Sequence, residues 1–297
     1  MTEDQIIREI TALNQRGGRM LSAIDLLAAG TLDLRLAAYL MQTVRKGASI
    51  LACAGPGGTG KTTLMGALLC FLPAHASIRV VEKPQPLSWY EEQSDAQAFT
   101  WFLAHELGPG SWYSYLWGEG ARTFLSMPDK LRFCATTVHA DNLGELRRLL
   151  QGREIGLSLQ DFARLDLVLF IRAIRTQGTG RWRRRVTEVC LGTGDPKETH
   201  KSICRWDPTT DAFIWHLEEA KAPSIGSSAE KTASKPWLSS LMLPPERKTS
   251  EVSHVPTALQ PYHDFLRNLQ AQRVNALEDV RSEVLRFYRT NPSASTP

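Results

Sequence analysis

The sequence predicts an α/β fold built on a central, mainly parallel sheet. Three observations carry that expectation. Apolar runs of strand length alternate with helical stretches from about 48 to 217, a glycine-rich loop separates the first run from the first helix, and several runs end in polar residues.

Helical periodicity opens the chain. Ile6, Ile7, Ile10 and Leu13 share one face, Gly17-Gly18 interrupts, and a second helical stretch covers 34–45, so residues 1–47 are expected to form a short N-terminal helical adaptor. Ser49-Ile50-Leu51-Ala52-Cys53-Ala54 then reads as a buried parallel strand, and Thr63-Leu64-Met65-Gly66-Ala67-Leu68-Leu69 as a helix. Further strands are expected at 78–81, 113–118 and 133–138. A β-rich part at 167–174, 184–191, 202–206 and 212–216 closes a core domain of 48–217. Residues 218–256 shift to Lys, Ser, Pro and Glu, with Pro244-Pro245, and are expected to be a flexible linker. After it Tyr262, Phe265, Leu266, Leu269, Val280, Val284 and Tyr288 recur at helical spacing, giving an amphipathic helical tail over 257–291. That tail either packs back on the core or docks on another subunit.

Composition narrows the class. A length of 297 residues suits one sizeable α/β domain with appendages. The five cysteines are odd in number and lie mostly inside apolar segments, without the close paired spacing of a zinc site, so they read as buried, reduced core residues. No apolar run approaches the roughly 20 residues of a membrane span, and Met-Thr-Glu-Asp-Gln at the N-terminus lacks the features of a signal peptide. A cytoplasmic location is expected. A net charge of +4 decides nothing about nucleic acid; its distribution is more useful, because Arg181-Trp182-Arg183-Arg184-Arg185 is either a phosphate-binding stripe around a stacking aromatic or the solvated arm of a hairpin.

The glycine-rich loop, Gly55-Pro56-Gly57-Gly58-Thr59-Gly60-Lys61-Thr62, has the spacing that wraps the phosphates of a nucleoside triphosphate. Dense negative charge must be met by many donors without obstruction. Glycines let successive backbone N–H groups point inward, and the helix that begins at the loop adds its positive end. Lys61 would reach the β and γ phosphates and the Thr62 hydroxyl would bind Mg²⁺, with Thr63 beside them. The pattern itself leaves ATP and GTP open.

A parallel sheet places its chemistry at the carboxyl ends of its strands. There the sequence offers Glu82 after 78–81, Glu119 after 113–118 and His139 after 133–138. Hydrolysis needs a carboxylate opposite the phosphate loop, to hold Mg²⁺ through its water shell and to orient or deprotonate the attacking water. Glu119 is the first candidate, and its other reading is a solvated carboxylate in a glycine-flanked turn. Glu82 is either a second carboxylate or the partner of Lys83. His139 either hydrogen-bonds the γ-phosphate or is structural.

The run around Gly118-Glu119, followed by Thr136-Thr137-Val138-His139-Ala140-Asp141 and Glu145-Leu146-Arg147-Arg148-Leu149, resembles the ATPases of type II and type IV secretion and type IV pilus systems. The likeness covers about 30 to 215. It implies a RecA-like core that binds ATP and Mg²⁺, assembles as a homo-oligomer, commonly a hexameric ring, and works against inner-membrane secretion or pilus components. By position, Lys61 and Thr62 would serve phosphate and Mg²⁺, Glu82 the Asp box, Glu119 the Walker B segment and His139 the His box. Three departures stand out: Lys83 follows Glu82 where an Asp is usual, the segment before Gly118 lacks the basic run, and most of the N-terminal domain is missing. Arg16 or Arg19 either substitutes for the arginines that domain supplies to a neighbouring nucleotide or is an ordinary exposed arginine in a glycine hinge. These departures keep two other readings open, a nonmotor nucleotide-binding switch or scaffold and a nucleic-acid-stimulated ATPase.

Overall fold

The computed structural model describes residues 2–14, 17–55, 57–95, 97–110, 112–175, 180–216 and 255–292. Of the expected linker, only 255 and 256 fall among them.

Each N-terminal helix begins where a side chain caps it. Thr2 and Gln5 form a capping box at α1 (Glu3–Ala12), Ser22 and Asp25 another at α2 (Ala23–Ala28), and Asp33 accepts from the Leu36 N–H at the start of α3 (Leu34–Arg45). The core then runs β1 (Ile50–Cys53), α4 (Lys61–Leu69), β2 (Ser77–Val80), α5 (Leu87–Glu92), β3 (Thr100–Leu103), β4 (Glu106–Leu107), β5 (Tyr115–Leu116), α6 (Gly118–Ser126) and β6 (Arg132–Val138). It continues through α7 (Leu143–Gln151), α8 (Leu159–Ala163), β7 (Leu167–Arg175), β8 (Trp182–Gly192), β9 (His200–Asp207) and β10 (Ala212–Trp215). Two further helices, α9 (Gln260–Ala271) and α10 (Leu277–Thr290), follow the linker.

Ten strands form one sheet, in the order β10-β9-β8-β7-β1-β6-β3-β2, with β4 and β5 branching beside β6. From β7 to β2 every pairing is parallel, and from β7 to β10 every pairing is antiparallel. This is the α/β architecture the sequence predicts, with its β-rich part joined to the same sheet.

The main correction concerns the strands between β2 and β6. No strand is expected from the sequence at 100–103, yet Thr100, Trp101, Phe102 and Leu103 are fully buried and pair with both β2 and β6. The expected strand at 113–118 shrinks to Tyr115–Leu116, which pairs only with β4. Ser114 and Gly118 both take φ of 57°, and left-handed backbone on either side breaks an extended run.

Successive residues of β1 face opposite sides, and the two faces belong to different cores. Ile50 and Ala52 join α1 to α4 and the C-terminal helices; Leu51 and Cys53 join α5 to α8. All five cysteines are buried and unpaired by disulfide.

The C-terminal helices pack back on the core. The last carbonyls of a helix have no partner within it, and α10 supplies partners for those that follow α4. Arg281 donates to Cys70 O (3.2 Å) and to Leu72 O, and the Tyr288 hydroxyl donates to Phe71 O (2.8 Å). Arg281 is 2% exposed and its Nε also reaches Glu3 Oε2 at 2.9 Å, so one guanidinium ties α1, α4 and α10 together. On the next turn Arg45 lies 4.3 Å from the Tyr288 ring centroid and donates to the Tyr262 hydroxyl at 3.0 Å.

Two expectations follow from this packing. Arg281→Met leaves two carbonyls and Glu3 without their donor and is expected to cost about 3 kcal/mol, read as a lower denaturant midpoint; Glu3→Gln, with its side chain partly in water, should cost less than about 1 kcal/mol. An equal loss in both variants would refute the three-way tie. The second concerns His200, whose Nε2 donates to Leu165 O at 3.1 Å and whose pKa burial pushes down from 6.5 to about 4. The unfolded chain therefore takes up this proton first. Stability is present above the unfolded value and falls as pH drops from 6.5 toward 4, by up to about 1.4 kcal/mol per pH unit. His200→Gln is expected to flatten that part of the stability–pH curve, and an unchanged slope would show that another group sets it.

Candidate functional site

Because β1 is buried on both faces and both edges, the chain can present polar groups only where the strand ends. There Ala54 N–H donates to Val138 O at 3.1 Å and Gly55 N–H donates to Asp141 Oδ1 at 3.0 Å, which anchors the start of the glycine loop to the end of β6. A Cβ on Gly55 would lie 2.3 Å from Asp141 Oδ2, so close approach requires glycine there. At the other end of the loop, Gly60 caps α4 with φ of 105°, a left-handed conformation that side-chain residues rarely adopt. Glycine has no side chain to cap the helix, so the start of α4 is shaped by backbone alone.

The hollow is a cavity of about 710 Å³, and Gly57, Gly58, Thr59, Gly60, Lys61, Thr62 and Thr63 line one end of it. Pro56 lies outside the described residues. Lys61 is 6% exposed, and its ammonium sits 3.4 and 3.3 Å from the two ring nitrogens of His139. His139 follows β6 directly; its Nδ1 meets Gly55 O and its Nε2 lies 3.2 Å from Glu106 Oε1. Phosphate loop, lysine, histidine and a carboxylate thus meet in one place.

That carboxylate is Glu106, which the sequence reading missed. The reason lies in β4. After β3 ends, the chain turns and Leu107 pairs with Val138, so β4 takes over the edge of β6 and carries Glu106 beside His139. The turn is held on two sides: His105 N–H donates to Ser114 O at 2.8 Å, and the Thr137 hydroxyl donates to His105 O at 2.8 Å. A signal did exist, since Phe99-Thr100-Trp101-Phe102-Leu103-Ala104 is an apolar, aromatic run of strand length that ends at His105-Glu106.

The other two carboxylates stand elsewhere. Glu119 falls in the first turn of α6, its side chain 84% exposed and 3.6 Å from Arg122, and it does not line the cavity. The expectation that put it opposite the loop needs a full strand at 113–118 beside the other parallel strands, whereas β5 is two residues long and sits on a branch, paired to β4. Glu82 follows β2, three strand positions from β1, roughly 14 Å at the usual spacing. It accepts from the Tyr113 hydroxyl at 3.2 Å and does not line the cavity either.

The arginine cluster is largely committed to the protein. Arg183 and Arg185 both bond Asp211, at 3.0 and 2.7 Å, and hydrogen bonds from Arg185 above all hold the Asp211 carboxyl down to about 2. Arg184 Nη2 donates to Gly58 O at 3.2 Å, on the phosphate loop itself. The cluster is a hairpin arm laid beside the loop. Arg19 pairs with Asp25 at 2.6 Å, which occupies one of the two arginines considered for a neighbouring site, and Arg16 lies outside the described residues. Among the described residues no group of His, Cys, Asp and Glu is arranged to hold a metal by itself, and no helix is long and apolar enough to cross a membrane.

Fold and loop together define an α/β protein with a cavity at a glycine-rich loop that follows its central strand. Comparison with known proteins gives the following. No family model matches the chain. A curated relative, the uncharacterized protein MJ0900 of Methanocaldococcus jannaschii, is 26% identical across 69% of this chain and 42% of its own length, so the chain spans less than half of the relative it matches. Structural neighbours of this chain include two ATPases. The ATPase DotB of Legionella pneumophila has 13% identity and a TM-score of 0.38, over 57% of this chain and 56% of that one. The VirB11 ATPase of the Brucella suis type IV secretion system, solved with sulphate, has 20% identity and a TM-score of 0.34, over 64% of this chain and 56% of that one.

Proposed function

We propose that this chain binds ATP with Mg²⁺ at the loop 55–63 and hydrolyses it, as a divergent cytoplasmic ATPase of the secretion and pilus type. The observation that carries the reading is the convergence of Lys61, His139 and Glu106 on one cavity at the carboxyl edge of a parallel sheet. The residues fit the ligand: left-handed Gly58 and Gly60 open the loop, and a buried ammonium stands at the first residue of α4.

The roles follow from chemistry at each atom. Backbone N–H groups of the loop and the first turn of α4 meet the phosphates, and Lys61 neutralises charge on the β and γ groups. Thr62 offers the hydroxyl that would hold Mg²⁺, whose contribution is to neutralise phosphate oxygens as charge develops. Glu106 orients a water and takes its proton as the water oxygen bonds the γ-phosphorus and the bond to the β–γ bridging oxygen breaks, leaving ADP and phosphate. His139, already between Glu106 and Lys61, donates to the γ-phosphate and exchanges partners when it departs. On this reading a homo-oligomeric ring and membrane secretion or pilus components are the partners, and attachment to the membrane is peripheral, through them.

Phosphate release and ATP binding, measured on the same purified chain, test the assignment. The expected pattern is that Lys61→Ala loses binding, Glu106→Gln binds ATP while turnover falls at least about 100-fold, and Glu119→Gln and Glu82→Gln stay within a few fold of the parent. Loss of turnover in Glu119→Gln with Glu106→Gln unaffected would return the role to Glu119. Tight ATP binding by the parent without any phosphate release would replace the motor with a nucleotide-controlled switch.

A further inference from the structure

The cavity is larger than the triphosphate needs. Its volume, about 710 Å³, is that of a site for a whole cofactor-sized molecule, and besides the loop its lining includes Leu13, Leu21 and Leu26 of the N-terminal segment and Trp182 of β8, with Asn14, Thr31 and Arg183 as polar neighbours. Trp182 is 63% exposed, an unusual state for the largest apolar side chain. Its direction is fixed by the strand it begins. Side chains alternate across a strand, so Arg183 and Arg185 share one face and both close on Asp211, while Trp182 and Arg184 share the other. Arg184 lies on the loop at Gly58 O, and Trp182, on the same face of β8, lines the same cavity. Arg185 also donates to Ala29 O at 3.0 Å, which ties β8 to the segment that supplies the opposite wall.

We infer that these apolar lining residues form the nucleobase site and that the indole of Trp182 is its stacking surface, with Leu21 and Leu26 meeting the other face of the base. The inference rests on the nucleotide reading above and deepens it by assigning the part of the ligand that the loop leaves unassigned. A base has an apolar π-face, so stacking removes two such faces from water and relieves the exposure of Trp182. The contact reads aromatic area and not a pattern of donors and acceptors. Through Trp182, therefore, the site takes adenine and guanine nucleotides alike. A bound base would also bridge the N-terminal segment and β8, two parts of the chain distant in sequence.

Titration calorimetry on the full chain, with MgATP, MgGTP and inorganic tripolyphosphate as separate ligands, tests this. Trp182→Ala is expected to weaken ATP and GTP by about tenfold or more and to leave tripolyphosphate within twofold, and Trp182→Phe to restore most of the loss. If Trp182→Ala shifts all three ligands equally, or none, the stacking assignment is wrong. If the parent chain binds tripolyphosphate as tightly as ATP, the base site falls and the phosphate loop stands. Binding of none of the three by the parent chain would instead defeat the nucleotide reading, and the base site with it.

Discussion

The rest of this structure depends on the burial of β1 between β6 and β7. A strand with apolar neighbours on both faces and parallel partners on both edges cannot show a polar group along its length, so the chain's one outlet is the loop at its carboxyl end. The two bonds that join that loop to the end of β6 then decide what can face it. Groups carried by β6, or by a segment paired to the end of β6, are brought beside Lys61, while Arg184 of β8 reaches the loop from the other side at Gly58 O. His139 meets the first condition and Glu106 the second.

The helix that leaves the loop is fixed as firmly at its far end. Arg281 and Tyr288 of α10 provide donors for the three successive carbonyls of Cys70, Phe71 and Leu72, and the same guanidinium reaches α1. A buried arginine is costly unless its donors are filled, and here they meet a carboxylate and main-chain oxygens. The two ends of the described chain thus close on the far end of the helix whose first residue is Lys61.

What the sequence reveals depends on how far a feature reaches along the chain. The loop 55–63 was legible because its glycines, lysine and threonine form one contiguous local pattern. The tail helices were legible from their 3.6-residue period, and packing against the core was one of the two outcomes that period allows. Arg281 was not, since an arginine beside Val280 reads as surface until α4 and α1 are set against it. Glu106 was hidden for a related reason. Its place depends on a two-residue strand pairing with β6 some thirty positions later, which no local pattern reports, and Gly118-Glu119 offered a more familiar spelling. Trp182 was noticed as a stacking residue beside arginines, but the sequence could not show that those arginines turn to Asp211 and the loop and leave the indole at the cavity.

The most direct measurement is a crystal structure of the chain with a nonhydrolysable ATP analogue and Mg²⁺. The expected result has the phosphates along 57–63, the metal at the Thr62 hydroxyl, and Glu106 as the nearest carboxylate to the γ-phosphate. A γ-phosphate approached by Glu119 or Glu82, with Glu106 turned away, would contradict the site as built here.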